Sequence, residues 1–206
     1  MDEFKINRHI GFMSILKIAR MGHPVLNQVA ERVVNPGSPE IAAIVKDMLE
    51  TLEDAGGLGL AAPQVHILKR IVVFFVPESR VSEDGDDEPE ELTIMINPEI
   101  EPLTKEMELD WEACLSLPDL MGSVPRYVKI RYSWTDLNGS RQERVAGGFH
   151  ARAVQHECDH LDGVLYPMRM TDMSKLVFES EFHHLIEHVR DLESDEDDAE
   201  EGLVDG

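Results

Sequence analysis

Basic residues are scarce in this chain of 206 residues: lysine and arginine number 19, against 41 aspartates and glutamates. A formal net charge of -22 at pH 7 leaves no basic surface large enough to displace counterions from a nucleic-acid backbone or an anionic lipid surface. The sequence therefore argues against direct nucleic-acid binding. Most of the excess negative charge lies in residues 83–91 and 191–201, and we expect both blocks to remain solvated because like charges repel.

Cysteines and long apolar runs are scarce as well. Cys114 and Cys158 are the only two cysteines, too few for a disulfide-stabilised secreted scaffold and more typical of a reducing compartment. We therefore expect a cytoplasmic protein. No run approaches the roughly 20 apolar residues that cross a bilayer, so no membrane segment is predicted. With 42% hydrophobic residues, the length suits one domain with a substantial core.

The pattern of apolar residues predicts an α+β fold, with small antiparallel sheets packed around a central helix and an amphipathic helix near each end. The N-terminal helix should begin at Pro39, after the N-cap residue Ser38, and end at Gly56 or Gly57. Strands cluster in the middle of the chain, which favours α+β over alternating βαβ units. The predicted strands are 71–76, 92–97, and a hairpin of 128–134 with 141–145 around Asn138-Gly139, and the other predicted helices are 149–161 and 172–189.

The motif His-Glu-x-x-His occupies residues 156–160 of the predicted central helix. Residues four apart lie one turn apart on the same helical face, so His156 and His160 can share one divalent cation while Glu157 reaches water bound to it. The five-residue pattern also occurs by chance on surface helices. Because a catalytic metal site normally has three protein ligands, a third ligand is required.

The residues alone leave the third ligand open among Cys114, an acidic residue and another histidine. Cys114 lies in an apolar stretch that we expect to be buried, and a thiolate is a strong ligand for a borderline divalent metal. A buried free cysteine, however, is more often simply a small hydrophobic residue. Cys158 has the weaker claim, because it lies two positions from His156 and faces away from the two histidines.

Three segments together resemble, in order and spacing, the signature motifs of the peptide deformylases. They are Gly-Leu-Gly-Leu-Ala-Ala-Pro-Gln at 57–64, Glu-Ala-Cys-Leu-Ser at 112–116 and Gln-His-Glu-Cys-Asp-His-Leu-Asp-Gly at 155–163. The resemblance implies a single catalytic domain over residues 13–190. Residues 1–12 would then form an N-terminal extension, and residues 191–206 an acidic disordered tail.

By this resemblance, Cys114, His156 and His160 would bind one divalent metal ion. Fe2+ is the ion expected, although Zn2+, Ni2+ and Co2+ suit the same ligands. The reaction would be hydrolysis of the N-formyl group of N-formylmethionine at the start of newly made polypeptides, with release of formate. Nascent formyl-Met polypeptides would be the partners, together with a transient ribosome association. The acidic tail argues against ribosome docking through a basic C-terminal helix.

The resemblance also implies roles for the residues around the metal. Glu157 would act as general acid and base, while the side-chain amide of Gln64 and the backbone N–H of Leu115 would hold the developing oxyanion. The substrate would contact four residues, among which Val154 is expected to form a wall of an apolar methionine pocket: Gly57, Gly59, Ala113 and Val154.

Two further expectations concern residues that do not react. Asp159 or a backbone carbonyl is expected to orient a ligand imidazole, and Glu112 and Arg126 are expected to pair across the pocket rim.

The chain departs from the family pattern at Ala113, where glycine usually precedes the metal cysteine. If that position required a positive φ, alanine would cost on the order of 1 kcal/mol. The alternative interpretation is therefore a metal-binding, deformylase-like protein with weak or lost turnover. Two other classes also stay open: a general zinc peptidase, and an interaction module whose acidic segments recruit a basic partner around a structural metal.

Overall fold

The computed structural model describes residues 14–82 and 87–186. The predicted N-terminal extension and the predicted acidic tail lie outside the described residues. The described fold has two antiparallel sheets, two α-helices and a further helical segment at 182–186, which confirms the predicted α+β class. The helices are α1 (Pro39–Ala55) and α2 (Gly148–Leu161), and the strands are β1 (Gly59–Ala61), β2 (Ile71–Val76), β3 (Glu90–Pro102), β4 (Met107–Cys114), β5 (Leu117–Tyr127), β6 (Lys129–Thr135), β7 (Arg141–Gly147) and β8 (Leu176–Phe178).

The larger sheet has the strand order β1-β2-β3-β6-β7, and the smaller has the order β4-β5-β8. Every described pairing between these strands is antiparallel. The predicted hairpin is confirmed as β6 and β7, and the turn between them contains Gly139 with a φ of 81°. Within the described chain, β1 and β4 each pair on one side only. Both are therefore edge strands with backbone groups available on the other side.

Helix α1 begins and ends where its capping residues predict. The side chain of Ser38 accepts a hydrogen bond from the Ile41 amide, Pro39 occupies the first helical turn, and Gly56 ends the helix in the left-handed region. Its apolar face packs on β2, and the shared core includes Val45 and Met48. This packing fixes the chain that leaves α1 and runs directly into β1.

Helix α2 packs against strands of both sheets. Ala151, Val154 and Leu161 lie in a core formed with residues of β2, β3 and β6. The helix is buried along most of its length. Side chains on its other face therefore point towards the smaller sheet.

The prediction of a helix over 172–189 is wrong for residues 172–181. A 3-10 turn at Met173–Lys175 is followed by strand β8, in which Val177 lies opposite Met121 of β5. The backbone is helical at 182–186, and 187–189 lies outside the described residues. The helical spacing of the apolar residues was misleading because the sequence Leu-Val-Phe suits a strand and β5 offers it a free edge.

The expectation that residues 83–91 stay solvated is wrong at two acidic residues. Asp87 is buried, and its carboxylate accepts hydrogen bonds from the backbone N–H groups of Phe149 and His150 at 3.2 and 3.1 Å. Glu90 is also buried and pairs with Arg144. The N-terminus of a helix attracts a carboxylate through its unpaired N–H groups and its dipole. Asp87 therefore caps α2 from outside the helix.

Gly148 allows this contact. Its φ is +49°, and a Cβ at this position would lie 2.8 Å from Cβ of Asp87.

In the part of the chain that the structure describes, no helix combines the length and the apolar character needed to cross a membrane.

Removing the Asp87 carboxylate should destabilise the fold, since α2 has no side-chain cap from its own N-cap residue Gly147. We expect Asp87→Ala to lower the free energy of unfolding by about 1–2 kcal/mol, measured by urea denaturation. Glu91→Ala is the matched control, because Glu91 is an exposed acid in the same segment and its loss should change stability by less than about 0.5 kcal/mol. Equal effects of the two substitutions would contradict a capping role for Asp87.

Candidate active site

One sulfur and two imidazoles converge between α2 and the smaller sheet. Cys114 ends β4, where a register shift after Ala113 precedes the turn into β5. His156 and His160 lie one turn apart on α2. Their potential ligand atoms all lie within 4.8 Å of one another, and Cys114 Sγ is 3.3 Å from Nε2 of His160. The fold thus brings together the three residues that the resemblance assigns to a metal.

The chemistry of this donor set fits a divalent transition metal ion. Burial opposes ionisation of the Cys114 thiol, but the adjacent His160 and His156 more than offset it, so the pKa of the thiol lies well below its ordinary value. A thiolate with two imidazoles suits Fe2+, Zn2+, Ni2+ or Co2+, and three protein ligands leave a coordination position for substrate or water.

Glu112, rather than Asp159 or a backbone carbonyl, orients one of the imidazoles. His156 Nδ1 donates to Glu112 Oε2 at 2.8 Å, which leaves Nε2 with the lone pair that could bind a metal. The predicted pair of Glu112 and Arg126 is present, but it is buried rather than at the rim. Asp159 instead binds Arg126 and Arg169. Burial opposes ionisation of Glu112, yet hydrogen bonds from Arg126 and His156 lower its pKa overall.

Gln64 is held with its amide beside the sulfur. Its Oε1 accepts from the Ala61 amide at 2.8 Å, while Nε2 donates to Ser116 Oγ at 3.1 Å and to Cys114 Sγ at 3.6 Å. The side chain is buried in the short 3-10 turn that follows β1. These bonds fix which end of the amide faces the candidate metal site.

Glu157 lies on the cavity side of α2, and Gly59 of β1 makes room for it. A Cβ at Gly59 would lie 2.6 Å from Cδ of Glu157. The carboxyl group is buried, and among the described residues its Oε2 has no hydrogen-bond partner. Burial raises the pKa of Glu157. A buried carboxyl oxygen without a partner is costly, so Oε2 is available to a bound molecule.

A cavity of about 580 Å³ opens beside these residues, within the size range of small-molecule sites. Its walls come from β1, the end of β4, the start of β5 and one face of α2. The predicted residues that line it are Gly57, Gly59, Gln64, Ala113, Cys114, Leu115, His156 and Glu157.

Val154 does not line this cavity. It is fully buried in the core on the other side of α2, because it lies two residues from His156 and so about 200° away around the helix. Ala153 and Phe149 line the cavity instead. The face of α2 that carries Glu157 also carries these two residues at helical spacing, which is the signal that could have identified them.

Ala113 adopts no left-handed conformation, since it is not among the residues with positive φ. It pairs with Met121 inside the β4–β5 ladder and is exposed. The condition under which alanine would strain this position is therefore not met.

Cys158 faces the core away from the histidines, and burial raises the pKa of its thiol.

The chain is similar to known bacterial proteins over most of its length. It is 47% identical over 161 residues to peptide deformylase 1 of Nitrosomonas europaea, and the aligned region covers 78% of this chain and 90% of that protein. It is 51% identical over 158 residues to peptide deformylase 1 of Bordetella pertussis, with coverages of 77% and 89%.

A solved structure and a family model agree with these relatives. The Met-Ala-Ser-bound crystal structure of a class I type b peptide deformylase from Acinetobacter baumannii superposes with a TM-score of 0.69 at 35% identity, and the match covers 77% of this chain and 99% of that one. The polypeptide deformylase family model matches residues 15–176. The chain therefore belongs to the polypeptide deformylase family.

Proposed function

We propose that this protein hydrolyses the N-formyl group of N-formylmethionine at the start of newly made polypeptides, giving formate and a free α-amine. Family membership supports the reaction class. The proposal is carried by the buried carboxyl of Glu157 at the cavity wall, whose Oε2 has no hydrogen-bond partner among the residues that the structure describes, and which lies beside the cluster of Cys114, His156 and His160. That arrangement supplies a proton carrier next to a metal site.

Cys114, His156 and His160 would hold one divalent ion. When bound, the ion would supply a Lewis acid that polarises the formyl carbonyl and lowers the pKa of water. Fe2+ is our proposed physiological ion on the basis of the family. Glu112 would keep the His156 ring in the tautomer that binds metal, because it accepts the proton of Nδ1.

Glu157 would take a proton from the attacking water and deliver it to the departing amine nitrogen. Its raised pKa favours this exchange, since a strongly acidic carboxyl would hold a proton poorly. Gln64 would donate one N–H of its fixed amide to the carbonyl oxygen as charge develops there. The backbone N–H of Leu115, in the turn that follows Cys114, would be a second donor.

The substrate backbone would lie along the free edge of β1, as an added strand. Gly59 is the first residue of β1, and Gly57 precedes the strand. Both glycines allow other residues to approach closely, since a Cβ at Gly57 would lie 2.8 Å from Cδ1 of Leu115. Ala113, exposed at the end of β4, would face the same chain from the opposite wall. The methionine side chain would enter the cavity against Ala153 and Phe149 rather than Val154.

The solved relative from Acinetobacter baumannii is described with Met-Ala-Ser bound, a peptide that begins with methionine, and this supports the proposed substrate class. We further propose that the protein acts in the cytoplasm on nascent chains and meets the ribosome only transiently. The net charge of -22 supports contact through the nascent peptide rather than through nucleic acid.

A metal-binding relative without turnover is the second candidate, and it is not favoured, because Ala113 is unstrained. Ala113→Gly should change kcat/KM on a formyl-Met peptide by less than about threefold, since no positive φ is relieved. Formate release in coupled assays measures this. A gain of more than about tenfold would support the candidate with impaired turnover.

The proposed sulfur ligand is testable with cobalt. Full-length protein loaded with Co2+ should show a thiolate-to-cobalt charge-transfer band, which Cys114→Ser should abolish. The same substitution should lower Co2+ affinity by about 100-fold or more, because changing even an outer partner of a ligand costs about 10- to 100-fold. Cys158→Ser is the matched control and should keep the band, since Cys158 faces the core. A band that survives Cys114→Ser would refute sulfur ligation by Cys114.

The proton-transfer role separates catalysis from metal binding. Glu157→Gln keeps the size of the side chain but removes its proton affinity, so kcat should fall by about 10²- to 10⁴-fold with Co2+ affinity nearly unchanged. Glu53→Gln, an exposed acid on α1, is the control and should retain activity. Full formate release by Glu157→Gln would overturn the proposed mechanism.

A further inference from the structure

Arg152 is a buried cation on α2 for which the proposed reaction has no use. It is 6% exposed, and it lies across the β4–β5 pair. Its Nη1 donates to Glu112 Oε1 at 2.9 Å and to the Val124 carbonyl at 2.8 Å, while Nη2 donates to the Glu108 carbonyl at 2.9 Å. One side chain of the helix is thus bonded to both strands of the hairpin that carries Cys114.

Arg152 and His156 share a carboxylate. The two residues are four apart on α2, and they bind opposite oxygens of Glu112: Arg152 binds Oε1 and His156 binds Oε2. Arg126 fills the remaining sites, with Nε on Oε1 at 2.8 Å and Nη2 on Oε2 at 2.9 Å. Four donors match the acceptor capacity of an ionised carboxylate, so Glu112 has no freedom to rotate without breaking a charged hydrogen bond.

The two arginines hold Glu112 from different sides. Arg126 belongs to β5, in the same hairpin as Glu112, and it reaches α2 through Asp159. Arg152 belongs to α2 itself and joins it directly to Glu112 and to the backbone of β4. It therefore fixes the strand that ends in Cys114 relative to the helix turn that carries His156.

We propose that Arg152 is a positioning residue for the metal centre, acting through Glu112 and the β4 backbone to set the separation of Cys114 from His156. The proposal rests on the proposed metal role of these two residues. A guanidinium is needed because its planar fork reaches three separate acceptors at once. A lysine keeps the charge but cannot span them.

The test is Arg152→Lys in the full chain, with Co2+ affinity measured by chelator competition and thermal stability measured without metal. We expect affinity to fall by about 10- to 100-fold, with a weaker or shifted thiolate-to-cobalt band. Arg131→Lys is the matched control, because Arg131 makes its ion pairs at the exposed surface. The Co2+ affinity of this variant should stay within about twofold of that of the parent protein.

A double-mutant cycle with Glu112→Gln tests the route. If Arg152 acts through Glu112, the loss caused by Arg152→Lys should be much smaller in the Glu112→Gln background, whereas additive losses would overturn that route. Lower thermal stability with unchanged Co2+ affinity, or failure of the metal-free variant to fold, would assign Arg152 to the fold alone and also overturn the proposal. A parent protein without the thiolate band would refute the proposed metal site itself, whereas a band in the parent with unaffected variants would refute only the role of Arg152.

Discussion

The buried carboxylate of Glu112 joins the strand that ends in Cys114 to the helix that carries both histidines. An ionised carboxylate is costly to bury without partners, and here Arg126, Arg152 and His156 saturate its oxygens. Because Glu112 belongs to β4 and accepts a hydrogen bond from His156 Nδ1, it links the strand that carries Cys114 directly to one of the two histidines. The packing of α2 against strands of both sheets holds β4 and the histidines in these positions.

The cavity lies where β1, β4 and α2 come together beside the three candidate ligands. Two edge strands, β1 and β4, approach the cavity face of α2 and leave backbone groups free on one side. The glycines of the first segment permit this approach, since Gly59 leaves room for the carboxyl of Glu157. A peptide that pairs with β1 would therefore place its first residue beside Glu157, the proposed proton carrier, which relates the sheet order to the proposed reaction.

The sequence predicted local features well where the signals were local. The caps of α1, the β6–β7 hairpin and the span of α2 follow from residues close together in the chain. Long-range contacts were not predictable in this way. Nothing near Asp87 in sequence indicates that it caps α2 some 60 residues later, and the apolar spacing around Val177 concealed a strand completed only by the edge of β5. The same reason explains why Asp159 was expected in the place that Glu112 takes, and why Val154 was expected to line the cavity.

In the proposed metal centre, one sulfur and two imidazole nitrogens share a single ion. X-ray absorption at the zinc edge of the Zn2+-loaded full-length protein tests it directly. Ligation by Cys114, His156 and His160 predicts one sulfur scatterer at about 2.3 Å and two imidazole nitrogens at about 2.0–2.1 Å. A first shell that contains nitrogen and oxygen but no sulfur would contradict it.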